Sequence, residues 1–575
     1  MIRNVFAGIL FIFCLTLSIS AATFTVTKIA DTNDGTCDSD CSLREAIAAA
    51  NLTFDNDTIE FSALFGTPQT ITLSGTDLIV TNNGTLAING PGADKLTVSG
   101  NNLSRVFTNN TGSVASINNL RVTGGTGTST VSSGRGGGVY NSGGMLTLNG
   151  LVITGNATAN GGGVNNAGTA TITINNTAIF GNTATGSGGA LQNFSGNTTN
   201  IYNSSIYGNT CNSTSTGGGA VQANGTVNIV NSTFSGNNSI GGSGGAIFFN
   251  GTVLNITNST ISQNTSTNNG GIHKSGATPI NIRNTIVAGN NGAAASPDMT
   301  GAVTSLGNNI IGNVGTSTGW VGTDLQNTAP VLAPFGFYGG IGNSYALLSG
   351  SPALDAGQNC VTNLTCPTDN PNLAVTTDQR GAARPFNTTV DIGAFEANTS
   401  YVAMLPVATL SQPYSFTIAN NYSGFGFFLN SGSFGGILLT TGGSSAVLGG
   451  TSNQLGTYNS VVQVTNNTNS TTINYSLNVS GIGANVAVNG KVLDASGNAV
   501  RGVIVRLTNA SNVTIYTKTN TFGNFTFSGV PFGANYTLNG TSKGLTFAAL
   551  NFTVNAAPTN VTLTATNSNL GKSEN

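Results

Sequence analysis

Gly161-Gly162-Gly163-Val164-Asn165-Asn166-Ala167-Gly168-Thr169-Ala170-Thr171-Ile172-Thr173-Ile174-Asn175-Asn176-Thr177-Ala178-Ile179-Phe180-Gly181-Asn182 is one copy of a pattern written six times between residues 136 and 290. Each copy opens on a small-residue cluster, as in Gly136-Gly137-Gly138-Val139 and Gly188-Gly189-Ala190-Leu191, and closes on an apolar residue, one spacer and Asn. The closing residues are Asn156, Asn182, Asn209, Asn237, Asn264 and Asn290, a period of 26 to 28. A fixed period of that size marks a repeat architecture.

Counted from the closing Asn, the residue eight positions earlier is Leu148, Ile174, Ile201, Ile229, Ile256 or Ile282. Three positions before it stand Ile153, Ile179, Ile206, Phe234, Ile261 and Val287, and after the glycine cluster come Val139, Val164, Leu191, Val221, Ile247 and Ile272. Between these columns the chain alternates with Thr, Asn and Ser, the two-residue period of a strand with one buried face. Three short strands per copy, broken by Gly and Asn that accept left-handed angles, predict a parallel β-solenoid. Asn176, Asn203, Asn231, Asn258 and Asn284, six before the closing Asn, are expected at inward bends, bonding along the stack through their amides. The frame extends to Val98 and Ile310, giving roughly nine turns and a rod on the order of 40 Å long. These columns resemble the right-handed parallel β-helix repeat family, and the solenoid is placed at 70–315.

The chain has 575 residues, of which 6% are charged, against about 25% in ordinary soluble domains. Its surface is therefore mostly Asn, Thr, Ser and Gly, and a net charge of −2 gives no field for nucleic acid. Residues 1–22 carry Arg3, an apolar run over 5–17 and Ser20-Ala21-Ala22, the pattern of a secretory signal peptide. No later segment is long and apolar enough to span a membrane, so an extracellular or cell-surface location is expected. In an exported chain, Cys37 with Cys41 and Cys360 with Cys366 are close enough for local disulfides, which leaves Cys211 as a semi-buried thiol.

In chain order, residues 23–69 read as an N-terminal cap. Ser42 and Glu45 have capping-box spacing, and Leu43, Ala46, Ile47 and Ala50 form one apolar helix face, suited to plug the first turn. Cys41-Ser42-Leu43-Arg44-Glu45-Ala46-Ile47 resembles the CSLREA motif of exported bacterial β-helix proteins, which implies export and no reaction. The acidic loop 31–40 offers oxygens to a calcium ion but lacks an EF-hand's terminal Glu, and reads as a solvated, disulfide-closed loop. Residues 316–399 read as a cap on the solenoid's other end. Their strings Ser351-Pro352-Ala353-Leu354-Asp355, Asp378-Gln379-Arg380-Gly381 and Asp391-Ile392-Gly393-Ala394-Phe395-Glu396 resemble the closing segment of the same proteins. Short alternating runs at 400–481 resemble immunoglobulin-like modules of bacterial surface proteins. Residues 485–566 resemble the carboxypeptidase regulatory-like domain, a non-catalytic transthyretin-like β-sandwich, and 567–575 is a polar tail. The whole is all-β: a solenoid with one capping helix, then two sandwiches.

Glycoside hydrolysis needs two carboxyl groups, and calcium-dependent elimination needs carboxylate ligands and a base. Between Asp94 and Asp298 there is neither Asp nor Glu. The single histidine, His273, falls in a column with Tyr140, Asn165, Gln192, Gln222 and Phe248, expected as an exposed rim. No catalytic, cofactor or metal-binding residue is therefore assigned. The expectation is an exported, non-catalytic protein whose rigid polar face serves adhesion, structural display or binding to an extracellular glycan or surface polymer, with Tyr140, Tyr207 and Phe248 available for stacking. The alternative is a carbohydrate-active enzyme confined to the cap, drawn from Asp378, Arg380, Arg384, Asp391 and Glu396.

Overall fold

The structure is a computed structural model. It describes residues 21–567 apart from 82–83, 215–216, 293–295, 368–370, 443, 481–484, 510–513, 532–534, 543 and 555–558. The leader at 1–20 and the tail beyond 567 lie outside the described residues. The chain divides into two compact units, Met1–Asn398 and Thr399–Asn575.

The first unit is a parallel β-solenoid of about 9 turns. Its front sheet has 11 strands, from Thr23–Val26 to Thr304–Ser305, so stacking begins well before residue 70. A second 11-stranded sheet runs from Gln69–Thr72 to Leu325–Gln326, and a third of 8 strands from Leu78–Val80 to Ile272–Lys274. The expected three strands per turn become four in five of the turns, where the segment after the closing Asn forms a narrow 5-stranded sheet from Ala157–Asn160 to Thr265–Ser266. Its strands hold only Thr, Ala, Ser, Asn, Gly and one Cys, too short and polar to announce a strand by apolar alternation.

The three aliphatic columns are in register turn on turn: Ile174 pairs with Ile201, Ile179 with Ile206, and Val164 with Leu191. All six side chains are buried in one continuous core. Burying such a side chain contributes about 1.5–3 kcal/mol relative to exposure, and every turn supplies three.

Two left-handed corners recur. The spacer before each closing Asn has φ of +64° at Gly155, +62° at Gly181 and +59° at Gly208, which explains why it is usually Gly. The second corner is the column Asn176, Asn203, Asn231, Asn258 and Asn284, with φ between 45° and 57°. This column bonds along the stack at two steps, Asn231 Nδ2 to Asn203 Oδ1 at 2.7 Å and Asn284 Nδ2 to Asn258 Oδ1 at 3.1 Å, but it does not point into the rod. Asn176 is exposed and Asn203 half-buried, while the last three are buried by chain lying outside them. A left-handed bend turns the side chain away from the core, and the inward amides are the closing ones instead. Asn156 Nδ2 donates to Asn182 Oδ1 at 3.0 Å, Asn182 to Asn209 at 3.0 Å, Asn209 to Asn237 at 2.9 Å, and Asn237 to Asn264 at 2.8 Å.

The helix Leu43–Ala50 packs its buried Leu43, Ala46, Ile47 and Ala50 into the first turns. Its capping box is formed, with Glu45 N donating to Ser42 Oγ at 3.1 Å and Ser42 N to Glu45 Oε2 at 2.7 Å. At the other end Trp320 packs against the core, its Nε1 donating to Ser317 Oγ at 3.0 Å. The remainder of the expected end cap is a strap along the second sheet. Ser205 Oγ donates to Asn343 O at 2.7 Å, Ser235 Oγ lies 2.6 Å from Tyr345 Oη, and Ala394 N donates to Thr260 Oγ1 at 3.0 Å. The outer face of that sheet carries small hydroxyl residues, which leave room for the strap and give its backbone partners.

In the second unit, a 5-stranded and a 3-stranded sheet span Val402–Met404 to Ser470–Ser480. A 3-stranded and a 4-stranded sheet follow, from Asn485–Leu493 to Thr559–Thr564, around Val488, Val505, Leu507, Phe525 and Leu538.

Candidate functional surface

Of the three wide solenoid faces, two are covered. The strap lies on the second sheet, and loops fold over the third. The column expected as an exposed rim sits beneath those loops: Tyr140, Asn165, Gln192, Gln222 and Phe248 are buried and His273 is half-buried. Tyr140 Oη meets Ser132 Oγ at 3.2 Å, Asn165 Nδ2 donates to Asn160 O at 3.2 Å, and His273 Nδ1 lies 3.0 Å from Asn269 Oδ1. Arg105, fully buried, holds the first of these loops by donating to Val131 O and Ser132 O at 2.9 and 2.8 Å, and lies 4.7 Å from the centre of the Tyr140 ring. Burial lowers the pKa of His273 and raises that of the Cys211 thiol. Tyr207 is stacked on Phe180 with centroids 4.7 Å apart and met edge-on by Phe335 of the strap. The three aromatic residues expected to stack on a sugar are thus engaged within the protein.

The front sheet remains. Strand alternation turns Thr171, Thr173 and Asn175 outward while Ile172 and Ile174 fill the core. In register, the central outward row is Ser116, Thr147, Thr173, Asn200, Asn228, Asn255 and Asn281. Asn228 Nδ2 donates to Asn200 Oδ1 at 2.8 Å, Asn255 to Asn228 at 2.7 Å, and Asn281 to Asn255 at 2.9 Å. Asn200, which also donates to Thr173 Oγ1 at 3.3 Å, and Asn255 and Asn281 are half-buried and keep an N–H and a lone pair for a ligand, whereas Asn228 is buried and serves as the rung between them. Beside it runs a row of Val114, Met145, Thr171, Thr198, Thr226 and Val253. A third outward row is open at Asn149 and Asn175. From Tyr202 and Val230 onward it is closed by Val361, Val375 and Val390 beside the Cys360–Cys366 disulfide. The amide row was legible at nine positions before the closing Asn, where the sequence reads Thr147, Thr173, Asn200, Asn228, Asn255 and Asn281.

The carboxylates of the strap are held by its own turns. Asp378 Oδ1 accepts Arg380 N and Ala382 N, and its Oδ2 accepts Arg380 Nε and Glu396 N. Asp391 accepts Asp355 N and Ala397 N, and Glu396 accepts Phe386 N and Asp391 N. Arg384 donates to Asp391 O and Gly393 O, and Arg380 lies 3.5 Å above the Phe395 ring. In the acidic loop, closed by the Cys37–Cys41 disulfide, Asp34 accepts Thr36 N and Asp38 accepts Asp40 N. Among the described residues no group of three His, Cys, Asp or Glu side chains is placed to hold a metal ion.

Residues 487–566 match the carboxypeptidase regulatory-like domain. No curated protein matches the chain in sequence. Among solved structures, the chain is similar to BcpA, the major pilin subunit of Bacillus cereus, at 9% identity and a TM-score of 0.13, over 27% of this chain and 57% of the pilin. It is similar to the Bacillus anthracis TIE protein at 10% identity and a TM-score of 0.15, over 27% of this chain and 34% of that one. It is also similar to a C-terminal fragment of the pilus adhesin SpaC of Lactobacillus rhamnosus GG at 10% identity and a TM-score of 0.13, over 28% of this chain and 94% of the fragment. The chain thus spans little more than half the length of the pilin it matches.

Proposed function

We propose that this is an exported surface or extracellular protein whose solenoid presents the front sheet to a neutral polyhydroxyl polymer, with the two sandwiches as non-catalytic spacers. The observation that carries the reading is the amide row Asn200, Asn228, Asn255 and Asn281, an uncharged donor and acceptor pair repeated at about the 4.8 Å spacing of stacked strands. A glycan lying along the rod meets hydroxyl and amide partners at successive turns, with Asn200, Asn255 and Asn281 the accessible amides, so several weak bonds act together. Export is supported by the leader pattern and by two disulfides, which persist in oxidising compartments. Among the described residues no helix is long and apolar enough to cross a membrane. Bond cleavage is disfavoured because Asp378, Asp391 and Glu396 spend their oxygens on backbone N–H groups and, at Asp378, on the Arg380 guanidinium.

The test is a screen of the leader-free chain against neutral polysaccharides, with a parallel assay for released reducing ends. Binding lost in an Asn200→Thr, Asn228→Thr, Asn255→Thr triple variant of unchanged thermal stability supports the reading. Binding untouched by that variant, or product release, overturns it.

A further inference from the structure

Charge is segregated between the two ends of this chain. Residues 23–80 hold nine carboxylates against Lys28 and Arg44, whereas residues 485–566 hold Lys491, Arg501, Arg506, Lys518 and Lys543 against Asp494 alone. From 397 to 490 there is no charged side chain.

Both ends expose charge and both expose large apolar side chains. At the N-terminal cap Asp34, Asp38 and Asp40 are exposed, and the hydrogen bonds from Thr36 hold the Asp34 carboxyl below its ordinary range, so it stays ionised. After the helix, Leu52 and Phe54 are 81% and 73% exposed. On the second sandwich, Val505 and Leu507 enter the core and turn Ile504 and Arg506 outward. Pairing sets Arg506 opposite Tyr516 and Ile504 opposite Lys518, and all four are exposed. Among the described residues, Lys491, Arg501, Arg506 and Lys518 enter no ion pair.

We propose that copies of this chain associate head to tail, the acidic, apolar N-terminal cap of one copy docking on the basic, apolar outer face of the second sandwich of the next. The occupant follows from complementarity: each surface carries the charge the other lacks, and each brings two large apolar side chains to the contact. Contacts between like ends are opposed by repulsion, and the charge-free stretch 397–490 offers no competing electrostatic site. A contact between two different surfaces leaves one of each free on every pair, so further copies add until a ring closes or an open chain grows.

The experiment is sedimentation velocity on the full leader-free chain across a concentration series, at about 0.01 M and about 1 M salt, where the screening length falls from roughly 30 to 3 Å. Species that grow with concentration at low salt and return to monomer at high salt are expected. An Arg506→Glu, Lys518→Glu variant and an Asp34→Lys, Asp38→Lys variant, each confirmed folded by circular dichroism and melting temperature, are each expected to stay monomeric. Their equimolar mixture is expected to associate again, because the unreversed cap of one meets the unreversed sandwich of the other and the two reversed surfaces meet with their signs exchanged. A wild-type chain that is monomeric at low salt overturns the proposal. So does association that survives either reversal, or a mixture that fails to associate.

Discussion

Asn290 gives its backbone N–H and one N–H of its amide to one oxygen of Asp298, the backbone N at 2.9 Å and Nδ2 at 2.8 Å from Oδ1. In the preceding turns the same two bonds are accepted by the amide oxygen of the next closing Asn, as from Asn264 to Asn290 at 3.0 and 2.9 Å. Another Asn at the last rung would bring an NH2 that needs an acceptor in a turn that does not exist. A carboxylate brings none, and its second oxygen accepts Asn313 N at 2.7 Å. The neighbouring hydroxyl ladder ends the same way: Ser259 N donates to Thr285 Oγ1, Thr285 N to Asn309 Oδ1, and Asn309 N to Asp324 Oδ1 at 3.1 Å. The first acidic residue after the carboxyl-free stretch is therefore a ladder terminator.

Asp298→Leu removes the acceptor for two buried N–H groups of Asn290 and for the part-buried N–H of Asn313. At about 1–3 kcal/mol for each unsatisfied group, the loss is roughly 3 kcal/mol or more. Denaturant unfolding measures it, and hydrogen exchange locates the opening in the last turns. Asp298→Asn, which keeps one oxygen facing Asn290, is expected to lose less. Equal stability of Asp298→Leu and wild type would show that water replaces the carboxylate freely.

Asn237 and Asn255 are both rungs, one inside the rod and one on its surface. Asn237 accepts from Asn209 N and Nδ2 and donates to Asn264 Oδ1 and Ile206 O, all without solvent. Asn237→Leu is expected to cost about 2–4 kcal/mol, and Asn255→Thr under about 1 kcal/mol, because water substitutes at a half-exposed amide. Comparable losses for the two would mean that the surface row is structural, and would weaken it as a binding face.

What the sequence disclosed and what it withheld follow from one physical distinction. The Leu148 to Ile282 column repeats because every turn must fill the same core position, so period and register were readable by counting. The destination of a polar side chain depends on the backbone angle that carries it. Asn176 and Asn182 look alike in the chain, yet a φ of +45° sends the first outward, while the second is fully buried. Burial of Tyr140 and Phe248 depends on loops such as 127–136, which have no apolar period. The strap was readable as non-repeating chain, but its place on the second sheet depends on single hydroxyl contacts, such as Ser235 to Tyr345, separated by 110 residues.

Closing the loop with Cys360–Cys366 holds the strap over Tyr202 and Val230. A bridge of this short span is worth about 2 kcal/mol in the chain-entropy account. Reduction, or Cys360→Ser with Cys366→Ser, is expected to lower stability by about that amount and to raise hydrogen exchange at Tyr202 and Val230 while leaving Ile174 and Ile201 protected. Unchanged exchange at Tyr202 would mean that Val361 and Val390 hold the loop without the bridge.

Glu396 makes strap docking depend on pH, and the sign is fixed by its surroundings. Burial pushes its carboxyl up from 4.5 to about 7, against the Arg384 guanidinium 3.5 Å away and two backbone N–H donors, and Asp391 beside it is raised in the same sense by burial. The folded state therefore holds a proton that the unfolded chain releases near 4.5. That preference stabilises the fold fully below 4.5 and is lost as pH rises through about 7. Melting temperature is expected to fall between pH 5 and pH 8, with proteolysis of the strap rising over the same window. Glu396→Gln, neutral throughout, is expected to flatten that part of the profile whatever its absolute stability. A wild-type melting temperature that climbs across this window, or a Gln variant with the same slope, would mean that the two N–H donors and Arg384 outweigh burial and keep Glu396 ionised.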